Sequence, residues 1–356
     1  MLTKVSKIAL GLLVLPALLA AYVGLRHVVY WSPADEVTFD SGDVTLAGTL
    51  VRPASTGPFP AVVLLHGSGP ERRSDPQTRV VVNALVRNGF GVLTYDKRGV
   101  AASGGDFETA LYPDFIADAI AAVEYLTARP DIDARLIGLY AVSEGAWFGP
   151  EVAARTGKVA FIFNKVGSPL PAEESWLWEI GNEYQKDGYS ESDVKKLVDL
   201  VRLRWNYYQD AATDPSLAEG SRRDAINAEI ARALEEIPNA ENVVPTELQP
   251  YDQEQHARFA ANSGYDPGPF IKRLEIPMFY TFGEYDVNIP AVQSVAALDL
   301  LVENGKNIEY RVFAGVGHGL ATWKGALQFG YVPGYLGILN EWTAARLDEL
   351  RENSSL

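Results

Sequence analysis

The heptapeptide Leu139-Tyr140-Ala141-Val142-Ser143-Glu144-Gly145 decides how the chain is read. A strand-like run, Leu136–Val142, ends at a serine, and a helix-like run, Glu144–Ala154, begins at once. A serine hydroxyl is a weak nucleophile, so an enzyme must expose it where a base can reach it and an oxyanion can be caught. A tight strand-to-helix turn does this when small residues flank the serine two positions either side, because the backbone must pass close to its neighbours. Gly145 meets the second requirement, while Ala141 stands where a glycine is usual and gives A-x-S-x-G. The same serine could simply cap a helix, a role serine favours. By itself the fragment leaves the two readings level.

Outward from this turn, strand-like and helix-like segments alternate. Val37–Phe39 and Val44–Val51 read as a hairpin turned at Ser41-Gly42. Ala61–His66 and Gly91–Tyr95 are continuous apolar runs of the kind buried on both faces of a parallel sheet. Thr78–Arg87 and Asp114–Ala128 have helical spacing, the latter stopped by Pro130. Val159–Phe163, Met278–Phe282 and Ile308–Phe313 read as strands, and Val292–Leu301 and Leu336–Leu350 as helices. Such alternation predicts a mostly parallel sheet covered by helices on both faces. The stretch 171–267 breaks the rhythm. It offers helices and aromatics but no buried strand, and it carries 20 acidic against nine basic residues. An insertion of that length is expected to be a helical cap. The expected organisation is a segment 1–31, a core in two parts, 32–170 and 268–356, and the cap 171–267 between them.

A general base can come from only four histidines. His27 lies near the N-terminus, His66 ends an early strand and His256 is in the cap. His318 lies in Gly315-Val316-Gly317-His318-Gly319, in the loop after the last strand, at the sheet edge where open α/β folds bind ligands. Asp286, in Gly283-Glu284-Tyr285-Asp286, follows the preceding strand and would orient the imidazole. Glu284 is its competitor, expected to face solvent. The glycines of His66-Gly67-Ser68-Gly69-Pro70 free backbone amides, so Ser68 and Glu144 are the expected oxyanion donors. The Glu144 side chain is expected only to complement its helix dipole, and His66 to fix its loop. Trp176 and Trp178 are candidate pocket residues.

Together, HGSGP at 66–70, YDKRGVAASGG at 95–105, the serine turn, GEYD at 283–286 and GVGHGL at 315–320 resemble the α/β-hydrolase superfamily, in its bacterial esterase and serine-aminopeptidase-like branch. The resemblance covers the chain from about residue 36 onward, except the cap. It implies an eight-stranded sheet, no cofactor, and hydrolysis through an acyl-enzyme. It also makes the Tyr95–Gly99 loop structural. Ala141 and Ala101 depart from its glycines. A serine at the turn argues against dehalogenase and epoxide-hydrolase chemistry, which use aspartate there. Ester hydrolysis is the leading expectation. Aminopeptidase or amidase action comes next, because an acidic cap would attract an α-ammonium group. Thioester hydrolysis is open but suits an acidic lid poorly. A non-catalytic binding protein on this fold would normally lack a triad member.

The bulk composition sets limits. With 47% apolar and 22% charged residues the chain has ample material for a core. A net charge of −15 argues against nucleic acid as a partner, and the absence of cysteine excludes disulfides, thiolate nucleophiles and cysteine zinc sites. No metal site is expected. Lys4 and Lys7 precede an uncharged run, Ile8–Leu25, 18 residues long, which reaches the lower limit for crossing a bilayer. Cleavage after Ala20 or Ala21 would follow a poor small-x-small site, while Tyr22, Tyr30 and Trp31 suit a membrane interface. The expectation is an uncleaved inner-membrane anchor with the catalytic domain outside the cytoplasm. A secreted or periplasmic form after signal cleavage is the alternative.

Overall fold

The computed structural model describes residues 14, 16–22, 24–25, 29–30, 32–218, 220–248, 252–322 and 330–353. Eight strands form one sheet in the order β1-β2-β4-β3-β5-β6-β7-β8. They are β1 (Ala34–Ser41), β2 (Val44–Val51), β3 (Phe59–Leu65), β4 (Gly91–Tyr95), β5 (Ile132–Val142), β6 (Val159–Lys165), β7 (Met278–Gly283) and β8 (Ile308–Phe313). Only the β1–β2 and β2–β4 pairings are antiparallel.

The continuous apolar runs are explained by what lies on each face. Successive side chains of a strand point to opposite sides, and in β3 they enter two different clusters. Ala61, Val63 and Leu65 pack with Phe115, Ile116, Ala119 and Val123 of helix α2 (Tyr112–Thr127) and with Trp147 and Val152 of helix α3 (Glu144–Thr156). Val62 and Leu64 pack with Val81 and Leu85 of helix α1 (Pro76–Arg87) and with Tyr335, Leu339 and Trp342 of the closing helix (Tyr335–Asn353). Both faces are therefore dry. Strand ends differ from the sequence expectation where pairing rather than pattern sets them. Strand β5 begins at Ile132, four residues before the apolar run, because Ile132 pairs with Phe59 across a register shift.

Between β6 and β7 the chain leaves the sheet and builds a helical layer: α4 (Ala172–Lys186), α5 (Glu191–Thr213), α6 (Ser221–Glu236) and α7 (Gln253–Ser263). It has an apolar cluster of its own, including Leu197, Leu200, Tyr207, Ile226, Ile230 and Leu248. The two ends of this insertion are tied together, since Ala172 N–H donates to the carbonyl of Tyr265 at 2.9 Å. A short helix, α8 (Gly268–Arg273), then returns the chain to the core through Ile271 and Leu274, and α9 (Ala291–Glu303) connects β7 to β8.

The apolar run Ile8–Leu25 lies partly outside the described residues, as do His27 and Trp31. Among the described residues no helix is long and apolar enough to cross a membrane.

Candidate active site

The site begins with backbone strain. Ser143, between β5 and α3, has φ 49° and ψ −113°, a conformation unfavourable for a residue with a side chain. Two features hold it there. Ser143 N–H donates to the carbonyl of Lys165 at the end of β6, 2.9 Å away. Gly145 lets the first turn of α3 press against β3, where an added Cβ would lie 2.6 Å from the carbonyl oxygen of His66. The alanine at 141 is accommodated from the helix side. Its methyl points toward Gly149, where an added Cβ would come within 3.7 Å of it. The other departure, Ala101, adopts φ 50°, so a residue with a Cβ occupies a left-handed position in the loop after β4.

Three loops at the carboxyl edge bring the reacting groups together. Ser143 Oγ lies 3.0 Å from His318 Nε2. His318 Nδ1 lies 2.9 Å and 3.1 Å from the two carboxylate oxygens of Asp286. An ionised carboxylate only accepts, so Nδ1 carries the hydrogen and Nε2 is left to accept from the serine. Asp286 is 3% exposed, and its Oδ1 also accepts from the amides of Asn288 and Ile289, each at 2.9 Å. Gly283 allows the aspartate and histidine loops to touch, because an added Cβ there would sit 2.5 Å from the carbonyl oxygen of Gly317. Glu284 is exposed, and its carboxylate accepts from Gly315 N–H at 2.8 Å. It braces the histidine loop and does not reach the imidazole ring.

Ser68 and Ser143 line one cavity of about 270 Å³ together with His318. The amides of Ser68 and of Glu144, the first residue of α3, make no hydrogen bond among the described residues. A helix's first amides have no partner within the helix. Gly67 brings the first loop close to the nucleophile, with 3.5 Å from its added Cβ to the Cβ of Ser143.

The Glu144 side chain corrects the sequence expectation. It lies in the first turn of α3, where an acid complements the dipole, but it does more than that. It is buried and accepts from Lys97 Nζ at 2.9 Å, and Lys97 also donates to the carbonyl of Gly67 at 3.0 Å. Lys97 thus joins the loop bearing Ser68 to the helix bearing Glu144, with its ammonium 4.3 Å above the ring of Phe115. No local pattern signals this pair, because Lys97 and Glu144 lie 47 residues apart and meet only across the folded edge. His66 donates from Nε2 to the carbonyl of Tyr95 at 2.5 Å, and burial pushes its pKa down to about 4. It is a neutral loop anchor. His256 is buried in the cap against Tyr208 and does not line the nucleophile's cavity.

Trp176 and Trp178, the candidate pocket residues, do not line the nucleophile's cavity. They are two positions apart on α4 and so face different ways. Trp176 packs edge-on against Tyr112 and Trp205. Trp178 instead donates from Nε1 to the carbonyl of Asp286 at 3.0 Å, and Asn182, one turn later, donates to the carbonyl of Val287 at 3.2 Å. Glu179 accepts from Asn288, and burial holds its carboxyl above the ordinary range. One face of a cap helix therefore grips the loop of the catalytic acid. Trp178 also borders a second, larger cavity of about 710 Å³, with Leu177, Val194, Val198, Arg202 and Pro290. That cavity contains no triad residue, whereas Ser143 and His318 both line the smaller one. Among the described residues no group of three or more histidine or acidic side chains is placed to hold a metal.

Comparison with known proteins agrees with this architecture. Esterase EstD of Thermotoga maritima is 25% identical over 299 residues, covering 82% of this chain. The chain spans 62% of the length of that relative. Est1E from Butyrivibrio proteoclasticus, solved with ferulic acid bound, superposes with a TM-score of 0.53 at 17% identity, covering 89% of this chain and 99% of that one. An esterase of Pyrococcus furiosus superposes with a TM-score of 0.52 at 17% identity, covering 90% and 91%. These likenesses establish the α/β-hydrolase fold. The family model described as X-Pro dipeptidyl-peptidase (S15 family) matches residues 41–317, a span that holds every strand from β2 to β8, Ser143 and Asp286 and ends beside His318, and the chain belongs to that family.

Proposed function

We propose that this protein is a serine hydrolase that cleaves carboxylic esters through an acyl-enzyme on Ser143. The observation that carries the reading is the continuous Ser143–His318–Asp286 hydrogen-bonded chain, with 3.0 Å and 2.9 Å links. In this reading His318 Nε2 takes the proton from Ser143 Oγ as the oxygen attacks the ester carbonyl. Asp286 stabilises the resulting imidazolium. The amides of Ser68 and Glu144 hold the negative oxygen of the tetrahedral intermediate. His318 then returns its proton to the departing alkoxide, and a water activated by the same imidazole releases the acid. Three relatives named as esterases or, for Est1E, solved with an aromatic acid support ester substrates.

Peptide hydrolysis is the second reading, favoured by the S15 family description. Both readings are tested by labelling the protein with a fluorophosphonate and mapping the modified peptide, beside panels of p-nitrophenyl esters and aminoacyl-p-nitroanilides. Ser143 should carry the label, and Ser143→Ala should abolish turnover while the fold is retained. Activity surviving that substitution would remove the assignment. Faster anilide than ester cleavage would select the peptidase.

The N-terminal segment is proposed to hold the catalytic domain at the inner membrane on its outer side. The uncharged run 8–25 supports this, as do the exposed apolar residues Leu18, Leu19, Tyr22 and Leu25. Removal of residues 1–31 should shift the enzyme from the membrane to the soluble fraction, and an unchanged distribution would contradict the proposal.

A further inference from the structure

A buried cation shares the nucleophile's cavity and makes no ion pair at contact distance among the described residues. Lys165 ends β6, directly beside Ser143, whose N–H its carbonyl accepts. The residue is 6% exposed and lines the 270 Å³ cavity with Ser143 and His318. Its ammonium lies 5.0 Å from the ring centre of Tyr331. Among the described residues no carboxylate forms an ion pair with it, and none accepts a hydrogen bond from it. The contrast with Lys97 is informative, because that second buried lysine is matched by Glu144 at 2.9 Å and by a carbonyl at 3.0 Å. A charged amine removed from water costs several kcal/mol unless something pairs with it, so buried charges are normally paired.

The two acids around the cavity, Asp75 and Glu71, act on Lys165 from beyond ion-pair distance. Asp75 is committed to capping α1, its Oδ1 accepting from the amides of Gln77 at 2.8 Å and Thr78 at 3.3 Å. Glu71 borders the cavity without reaching Lys165, and burial, with Asp75 second, holds its carboxyl above the ordinary range. The N-terminus of α1, twelve residues long, points its positive end at the same space through Gln77 and Thr78. Burial outweighs both acids at Lys165, whose pKa is pushed down to about 8.

We infer that Lys165 binds a carboxylate of the substrate, so that the preferred ester or amide carries an acidic group a few atoms from the bond cleaved at Ser143. The inference rests on the serine-hydrolase reading and adds the substrate class. A carboxylate brings the charge that the lysine lacks, and charge-assisted hydrogen bonds are the strong ones. A neutral acyl chain would fill the cavity and leave the ammonium without a direct ion pair. Glu71 lies on the same wall and limits the affinity by repulsion.

The test uses mono-p-nitrophenyl esters of succinic, glutaric and adipic acids, each beside its methyl-capped counterpart, which lacks the charge. At one of the three lengths the acidic ester should exceed its capped partner in kcat/KM by about tenfold or more. Lys165→Met should bring that ratio to within about twofold, and Glu71→Gln should raise it. Equal use of acidic and capped esters at all three lengths would overturn the inference, as would a preference that survives Lys165→Met. If Lys165→Met does not fold, the ratios in the unmodified protein and in Glu71→Gln decide. Fluorophosphonate labelling of the same samples separates the two levels. Absence of label at Ser143 removes the hydrolase reading, whereas normal labelling without a carboxylate preference removes only the role of Lys165.

Discussion

The sheet and the helical insertion solve the same problem in different ways, and the difference locates the chemistry. In the sheet β3, β4, β5 and β7 send alternate side chains into two clusters, which fixes the ends of β5 and β7 from both faces, while the edge strand β8 is buried at its end through Phe313. The three triad residues sit on the loops leaving those ends. The insertion instead closes around its own cluster, Leu197 to Leu248, and supplies none of the triad. Its reach into the site is through α4, where Trp178, Glu179 and Asn182 bond to the loop from Asp286 to Asn288. The core therefore provides the reacting groups, and the cap provides a grip on one of them.

The most severe way to break this division is on the core side. Asp286→Asn should lower kcat by roughly ten-thousand-fold, as the equivalent change does in serine proteases, because the amide favours the wrong imidazole tautomer. Circular dichroism should be unaltered. Glu284→Gln should cost far less, since that carboxylate only braces Gly315, and the reverse ranking in steady-state kinetics would show that the wrong acid has been identified.

Acid should sharpen the contrast next, because the core contains a buried neutral histidine. Burial lowers the pKa of His66 from 6.5 to about 4. Below pH 6.5 the unfolded chain takes up a proton that the folded protein refuses, so stability falls as pH drops. The loss builds between pH 6.5 and 4 and amounts to about 3 kcal/mol. Urea midpoints across that range should fall more steeply for the unmodified protein than for His66→Asn. Parallel slopes would refute the assignment.

The smallest effect tests the grip itself. Trp178→Phe removes one hydrogen bond to the backbone of Asp286 while keeping an aromatic ring, so kcat should fall by about tenfold. A merely structural tryptophan would lower thermal stability without changing kcat of the folded enzyme. An unchanged kcat would mean that the acid's loop holds its position without the cap.

Much of this architecture is legible in the amino-acid sequence. The alternation of runs dictates a parallel sheet, since a strand apolar at every position can only be buried on both faces. Glycines mark the loops for a local reason that operates at each position, as at Gly145 and Gly283, where a Cβ would strike a carbonyl. What stays hidden depends on residues distant in the chain. The Lys97–Glu144 pair, the turning of Trp178 toward Asp286 rather than into the nucleophile's cavity, and the absence of a contact ion pair at Lys165 among the described residues are all set by which surfaces meet at the sheet edge. Local pattern determines which segments become strands and helices because it acts through backbone and neighbour, over a few residues. The partners of buried charges and indoles are decided by tertiary structure, because desolvation is imposed only once the chain has folded around them.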